Sequence, residues 1–315
     1  MTDATAELTL PCRTATASAR GAGQPRPRGL GAYLLLLPSL VCLSVFTYFP
    51  VIEAIYDSLQ KRIGIGKTTA FSGLDNYVAI LGDKAFRRAL WNNAIYAIGT
   101  LIPTLVLALG FAMALQRASR INALLRAVFF LPVLIPLIAA AALFLFIFLP
   151  GVGLIDYQIG RFLTRQHNWL GDPDLALWSI ILLTVWKNAG YYMLFFLAGL
   201  QAIPPDAYEA TYLDGASPWQ RLRHVTLPYL KPTLAFVAII ALLNIVIQVD
   251  HVFVLTKGGP SDSTNLLLFY IYQQAVESYD IGKAAAATVL SLLMLFGITF
   301  FSLGTIERSL GGGAP

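Results

Sequence analysis

Residues Ala127–Leu149 read AVFFLPVLIPLIAAAALFLFIFL, and this run sets the class of the whole chain. It contains no charged side chain along its length, and a helix of about 20 mostly apolar residues is long enough to cross the hydrocarbon core of a bilayer. Because lipid offers no hydrogen-bond partners, the backbone of such a run must satisfy itself, as a helix does. The run therefore predicts a membrane-spanning helix.

Five further runs of this kind lie on either side of the first. They are Gly31–Ala54, Trp91–Leu115, Leu177–Leu200, Leu230–Val252 and Ala284–Ile306. The composition agrees, because 57% of the 315 residues are hydrophobic, 12% are charged and the mean hydropathy is +0.67, whereas soluble domains contain about 25% charged residues. The sequence predicts an all-α integral membrane protein with six transmembrane helices in residues 29–308. It argues against a soluble enzyme, a disordered chain and a nucleic-acid-binding protein.

The two ends of the chain are polar or short. Residues 1–28, rich in Ala, Thr, Gly and Pro, are expected to form a disordered cytoplasmic tail, and residues 309–315 a short C-terminal tail. Because no small-residue cleavage motif follows the first apolar run, we interpret that run as an uncleaved span. The loop Gln116–Arg126 contains three Arg and no acid. By the positive-inside rule it predicts that both termini are cytoplasmic.

Cysteine and histidine give little indication of chemistry. The two cysteines, Cys12 and Cys42, cannot form a disulfide framework. The three histidines, His167, His224 and His251, are far apart and lack the spacing of metal ligands. We therefore expect no metal site.

The first predicted outer loop contains an amphipathic segment, Asp75–Leu90. Its apolar side would consist of Tyr77, Val78, Leu81 and Phe86. Such a helix could meet a partner protein or could only cap the bundle, and the sequence leaves both open.

The predicted inner segment between spans four and five, Ala202–Pro228, reads AIPPDAYEATYLDGASPWQRLRHVTLP. Asp206 can cap a first short helix, with Glu209 as its capping-box partner. Gly215 is a natural C-terminal stop, and Ser217-Pro218 can begin a second helix. Because this helix–turn–helix is too small to be a domain, it predicts a docking element that packs against another protein.

The same segment resembles the EAA loop of binding-protein-dependent ABC importer permeases. Glu209-Ala210-Thr211 is followed after three residues by Gly215 and after nine more by Val225-Thr226-Leu227-Pro228. The family pattern is Glu-Ala-Ala, three residues, Gly, nine residues, Ile-x-Leu-Pro. Thr211 and Val225 depart from it, and both replacements are close in size to the family residue.

Three other segments resemble the carbohydrate-uptake members of that family, which are the membrane subunits of maltose-type and glycerol-3-phosphate-type importers. They are Phe71–Tyr77, Trp186-Lys187 and Val249–Pro260. The resemblance implies the six-span permease fold known as MetI-like and the import of an oligosaccharide, monosaccharide, polyol or glycerol-3-phosphate. It implies a location in the bacterial inner membrane.

The resemblance also implies how the chain would be driven. The helix Asp206–Tyr212 would be a coupling helix seated in a cytoplasmic ATPase, with Glu209 presenting its charge to a basic partner residue. The small residues Ala210 and Thr211 would permit close approach, and Gly215 would form the turn. The coupling residues implied in this way are Asp206, Glu209, Ala210, Thr211, Asp214 and Gly215. An alternative role for Glu209 is to complete the capping box.

The implied assembly contains a second homologous permease subunit, two copies of the ATPase and an extracytoplasmic solute-binding protein, all in a lipid bilayer and without nucleic acid. ATP and Mg would be bound by the ATPase, so this chain would need no cofactor of its own and would not be an enzyme. The GKT triplet in Gly64–Thr69 does not change this, because a P-loop needs Gly where Lys61 stands.

Polar residues inside the predicted spans are candidates for the substrate path, because an ionisable group at the centre of a span costs roughly 2.5–3.5 kcal/mol and usually faces the protein interior. On span five, Asn244, Gln248 and His251 recur at helical spacing as one polar stripe. The candidates are Lys187, Asn188, Tyr191, Asn244, Gln248 and Asp250. Hydrogen bonding between spans is the alternative role for Asn244 and Gln248, and a structural role is the alternative for Lys187.

Two rival functions remain at this point. A secondary transporter or channel would need no ATPase, but such carriers often show inverted repeats, and no convincing internal repeat is visible. A membrane enzyme would need clustered His, Asp or Glu at the interface, and no such cluster is visible in the sequence.

Overall fold

The computed structural model describes residues 31–61, 70–159 and 167–311, including the side chains of residues 36–61, 70–158 and 167–300. The predicted N-terminal tail and the GKT triplet lie outside these residues. Most of the described residues are helical. The α-helices are α1 (Gly31–Leu43), α2 (Phe49–Ser58), α3 (Asp75–Gly82), α4 (Lys84–Leu115), α5 (Arg120–Leu134), α6 (Leu137–Ile147), α7 (Leu154–Ile159), α8 (Ala176–Gln201), α9 (Pro205–Leu213), α10 (Pro218–Arg221), α11 (Leu227–Ile247), α12 (Asp250–Leu255), α13 (Leu267–Tyr272) and α14 (Ile281–Gly311). The other elements are the π-helical segments Ser44–Tyr48, Leu222–Thr226 and Gln273–Glu277 and the antiparallel strands β1 (Gln60–Lys61) and β2 (Ala70–Phe71).

The chain divides into two units, one that ends at Val51 and one that begins at Ile52. The first unit contains α1, the first π-helical segment and the start of α2. The second unit contains all the later elements.

Among the described residues, five helical stretches are long and apolar enough to cross a membrane, and a bent pair of helices brings the number to as many as six. The five are Leu36–Ser58, Lys84–Leu115, Ala176–Gln201, Pro218–Leu255 and Ile281–Phe300. The prediction of an all-α, multi-span fold is confirmed.

The predicted third span is not one straight helix. The chain forms α5 and α6, which meet at an angle of 99°. Ile135 adopts an extended conformation, with ψ of 127°, before Pro136. A residue that precedes proline is disfavoured in the helical region, and proline cannot donate the next backbone hydrogen bond. The continuous helix expected over Ala127–Leu149 was therefore wrong at this point.

The core of the second unit forms where α4 and α8 pack along each other. Near the start of α8, Tyr96, Ile180 and Leu183 are buried with residues of α6 and α12. Near its end, Phe196 and Leu200 are buried with Leu230 of α11. We call the end of the bundle that carries α9 the loop end. Between spans in lipid, close van der Waals packing of these side chains, and not the removal of apolar surface from water, holds the helices together.

The amphipathic helix predicted over Asp75–Leu90 is instead two elements. α3 ends at Gly82, and the side chain of Asp83 accepts a hydrogen bond from the Ala85 amide at 2.9 Å, which begins α4. Asp at an N-cap is a strong start signal, because its carboxylate satisfies an otherwise free amide. Of the predicted apolar side, Phe86 is buried, whereas Val78 and Leu81 are exposed.

Candidate functional site: the α9 loop and the polar residues of the bundle

The first loop helix, α9, spans Pro205–Leu213, slightly longer than the predicted Asp206–Tyr212. It begins after Pro204, whose backbone is extended, and it has Pro205 in its first turn. Pro suits this position, since its missing amide would be unpaired there anyway. Asp206 consequently lies inside the first turn and caps nothing, so the predicted Asp206–Glu209 capping box was wrong.

The end of α9 is a tight left-handed turn at Gly215, with φ of +67°. The Gly215 amide donates to the Tyr212 carbonyl at 3.2 Å, and the Ala216 amide donates to the Thr211 carbonyl at 3.0 Å. These two bonds form a Schellman motif, which satisfies the last carbonyls of a helix. A β-carbon at Gly215 would meet no atom within 4 Å, so this position requires glycine for its backbone conformation and not for space.

The second loop helix begins as expected, at Ser217. Its side chain accepts from the Gln220 amide at 3.3 Å, and the Gln220 side chain accepts from the Ser217 amide at 2.7 Å, which completes a capping box. The helix does not end within the loop, however. It continues through the π-helical segment Leu222–Thr226 into α11. The second helix, which the sequence predicted as a separate element, is therefore the first part of span five.

Five of the six predicted coupling residues present an open surface. Asp206, Glu209, Ala210, Asp214 and Gly215 are exposed. The sixth, Thr211, is half-buried and donates its hydroxyl to the Tyr208 carbonyl at 2.7 Å. Large apolar side chains are exposed beside them, with Leu213 at 89% and Tyr212 at 66%. Exposed apolar side chains rimmed by charge are typical of a surface that meets another protein.

Lys187, predicted for the substrate path, is buried against the break between α5 and α6. Its Nζ donates to the carbonyls of Pro132 and Val133 at 3.3 Å each and to the carbonyl of Ile135. These carbonyls lie at the break between the two helices, and that of Pro132 also accepts a hydrogen bond from the Ile135 amide at 3.3 Å. An ammonium group has three donors, and the three carbonyls account for all of them, which favours the structural role for Lys187.

The polar stripe predicted on span five is interrupted. α11 ends at Ile247, and Gln248 is extended, with ψ of 120°, before α12 begins at Asp250. The helical spacing that would align Asn244, Gln248 and His251 therefore fails at Gln248. This expectation was wrong because the helix does not continue through it.

The predicted path residues consequently lie in different surroundings. The Asn244 amide donates to the Tyr192 hydroxyl at 3.1 Å, and Tyr191 contacts Tyr192 edge-on, with ring centroids 5.1 Å apart. Asn188 is buried with its Nδ2 unpartnered among the described residues, and so is Oε1 of Gln248. Asp250 is exposed. The structure thus brings Asn244 next to the Tyr191–Tyr192 pair and places Asp250 apart from it.

Sequence reasoning assigned His251 to the polar stripe but missed the second polar group that it forms in the core with Tyr96 and Thr184. His251 is fully buried, stacks on Tyr96 with ring centroids 5.4 Å apart, and has both ring nitrogens unpartnered among the described residues. The Tyr96 hydroxyl lies 3.0 Å from that of Thr184. A Tyr and a Thr in apolar helices are common, so the sequence held no signal that these side chains meet.

At the end of the bundle opposite α9, two acids hold loops in place. Asp156 accepts a hydrogen bond from the Gly151 amide at 2.6 Å, which lowers the pKa of its carboxyl. The Tyr270 hydroxyl donates to Asp83 at 2.7 Å, and burial together with this carboxylate raises the pKa of the tyrosine. Within residues 31–61, 70–159 and 167–311, no three His, Cys, Asp or Glu side chains come together in a way that could hold a metal ion.

A multi-span apolar bundle with an exposed, charged helix at one end is the architecture of an integral membrane protein with a surface for a partner. The comparison with known families agrees, because residues 106–309 match the family described as binding-protein-dependent transport system inner membrane component. The chain belongs to this family. It is therefore a multi-pass membrane protein and a transport permease subunit.

Individual relatives and solved structures are consistent with this assignment. The chain is 32% identical to the trehalose/maltose transport system permease protein MalF of Thermococcus litoralis, over 88% of this chain and 94% of the relative. It is 30% identical to the sn-glycerol-3-phosphate transport system permease protein UgpA of Yersinia pestis, with the same coverage. A chain of a bacterial ABC transporter involved in the import of the acidic polysaccharide alginate has the same fold, with a TM-score of 0.77 and 22% identity over 88% of this chain and 95% of that one. The same transporter has been solved with its alginate pentasaccharide-bound periplasmic protein.

Proposed function

We propose that this ABC importer permease carries a sugar or sugar-like solute inward across the bacterial inner membrane, with both termini in the cytoplasm. Two relatives at 30% identity or more are named for trehalose and maltose and for glycerol-3-phosphate. Hydroxylated solutes suit a path with amide and phenol groups, because a few placed hydrogen bonds fix the orientation of such a ligand. The pair formed by Asn244 and Tyr192 supplies groups of this kind.

The energy would come from a separate ATPase that binds α9. The observation that carries this proposal is that α9 exposes Glu209 and Ala210 on a helix without a single buried residue. The acidic Glu209 would face a basic residue of the ATPase, and Asp206 and Asp214 would add to the negative surface. Two ATPase copies, which would hold ATP and Mg, a second permease subunit and an external binding protein would complete the importer.

Cross-linking tests the ATPase partner directly. We would introduce Ala210→Cys into a chain whose native cysteines are changed to serine, and label it in intact cells with a membrane-permeable reagent that couples to this thiol at one end and, on illumination, bonds to any neighbouring protein at the other. We expect capture of a nucleotide-hydrolysing protein, identified by mass spectrometry. The control is Asp174→Cys, which should capture no ATPase. Asp174 is exposed and lies just before the first residue of α8, at the end of that helix far from α9. Failure of Ala210→Cys to capture one would favour an ATP-independent carrier or channel.

Uptake kinetics test the path. We would measure uptake of radiolabelled maltose, trehalose and glycerol-3-phosphate and then use whichever the wild-type importer transports. If Asn244 and Gln248 contact the solute, Asn244→Ala and Gln248→Ala will raise KM for uptake. Loss of one hydrogen bond to a solute corresponds to roughly threefold to tenfold. The matched control is Thr288→Ala, whose hydroxyl bonds its own helix at the Ala284 carbonyl. Unchanged KM in both variants would assign these side chains to helix packing only.

A further inference from the structure

Few contacts fix the position of α9. It has no buried residue, and only Ala207 and Tyr208 pack partly against the apolar cluster at the loop end. Two side-chain contacts join it to the segment Pro218–Thr226. The Tyr208 hydroxyl lies 3.3 Å from that of Thr226, and the Arg221 guanidinium lies 4.1 Å from the centre of the Tyr212 ring.

The contact between Arg221 and Tyr212 is the one that involves a charged group. A guanidinium over an aromatic face is held by the ring quadrupole, and the Arg221 Nε is buried without a hydrogen-bond partner in the described part of the chain. No acid is paired with Arg221 among the described residues. The Tyr212 ring is thus the group that this cation contacts most closely on α9.

The turn between α9 and α10 determines how a movement of α9 can reach span five. Gly215 reverses the chain, and the Schellman bonds and the Ser217 capping box form the turn that brings Tyr212 of α9 against Arg221 of α10. From Pro218 the helix runs on through the π-helical segment to Ile247. In the described part of the chain, no hydrogen bond from an α9 side chain reaches α8. Apolar packing is non-directional, so the directional side-chain contacts of α9 lead to span five.

We propose that Arg221 and Tyr212 form a clamp that makes α9 move as one body with span five, so that they are positioning residues for energy coupling. This proposal rests on the proposed function, because it assumes that an ATPase displaces α9. Removing the clamp would let α9 move with the ATPase while α11 stays behind. ATP would then still be hydrolysed, but span five would no longer follow.

The test uses the importer purified with its ATPase and a reporter at the far end of α11. Ile247→Cys, at an exposed position, is introduced in the chain with the native cysteines changed to serine. Its rate of reaction with a maleimide is measured without nucleotide and after trapping with ATP and vanadate, and ATP hydrolysis is measured in the same preparation. In the otherwise unchanged chain we expect the two labelling rates to differ.

In Arg221→Ala we expect ATP hydrolysis to persist and the two labelling rates to become equal. Arg221→Lys, which keeps a cation, and Tyr212→Phe, which keeps the ring, should preserve the difference. Arg223→Ala is the matched control, because Arg223 is an exposed basic residue on the same short helical segment. If Arg221→Ala retains the difference as Arg223→Ala does, the clamp is overturned. If the unchanged chain shows no ATPase partner and no nucleotide-dependent labelling, the proposed function itself fails.

Discussion

The burial of Lys187 can be tested as a structural feature. Lys187→Met keeps the length of the side chain and removes its three donors, so the carbonyls of Pro132, Val133 and Ile135 lose the hydrogen bonds from the ammonium group. Hydrogen bonds to charged groups contribute roughly 1.5–3 kcal/mol. We expect the free energy of unfolding to fall by about that amount, seen as a lower Tm of the detergent-solubilised protein.

Lys283→Met is the control for this loss of charge. Lys283 pairs with Asp280 at 3.1 Å, but its side chain is 38% exposed. Exposed pairs contribute about 0–1 kcal/mol, so Tm should change little. A Lys187→Met protein with unchanged Tm and a raised KM for uptake would contradict the structural role and would indicate that Lys187 contacts the transported solute.

Lys187 also illustrates what a sequence can and cannot predict about single residues. Because a lysine is rare inside a membrane span, the sequence indicated that Lys187 has a specific role. The role depends on the Ile135–Pro136 break, more than 50 positions away along the chain. The contact of Tyr212 with Arg221 could not be predicted from sequence either, because it depends on the direction in which the turn at Gly215 sends the chain.

At the scale of elements, the close approach of α5 and α8 depends on Gly190. A β-carbon at this position would lie 1.8 Å from the Phe129 carbonyl oxygen, which belongs to backbone and cannot rotate away. Overpacking typically costs about 1–3 kcal/mol, and here the two helices would have to separate. We expect Gly190→Ala to lower Tm and the yield of folded protein.

Gly110→Ala in α4 is the matched control, because nothing lies within 4 Å of its would-be β-carbon. Replacing an unconstrained helical glycine by alanine stabilises by roughly 0.5–1 kcal/mol, so its Tm should stay or rise. A Gly190→Ala protein as stable as Gly110→Ala would show that α5 and α8 pack less tightly than described.

The presence of the helices could be predicted from the sequence, but the positions at which they break could not. Long apolar runs must be helical in lipid, which is why the all-α fold followed from composition. Proline did not reveal where helices break, because Pro38, Pro103, Pro132 and Pro232 lie inside helices. Pro136 instead follows a break, where Lys187 of another helix binds the backbone carbonyls. Gln248 ends α11 without any proline nearby.

At the scale of the whole molecule, the loop end was the best-predicted region, because its signals are local. The stop at Gly215 and the helix start at Ser217 were confirmed from short-range patterns alone, whereas the capping box predicted at Asp206 and Glu209 was wrong. The surface that α9 contacts belongs to another protein, and the sequence of this chain alone does not describe that surface. The docking role of Glu209 therefore stays a prediction.

Charge reversal at Glu209 tests that role for the importer as a whole. Glu209 is exposed, and exposed substitutions usually change stability by no more than about 0.5 kcal/mol, so Glu209→Lys should reach the membrane in normal amounts. Like charges placed together at an interface cost several kcal/mol, so the ATPase should dock poorly and uptake should fall roughly tenfold or more. Asp174→Lys makes the same change of charge at the opposite end and should transport normally. Wild-type uptake by Glu209→Lys would mean that α9 is not where the ATPase acts.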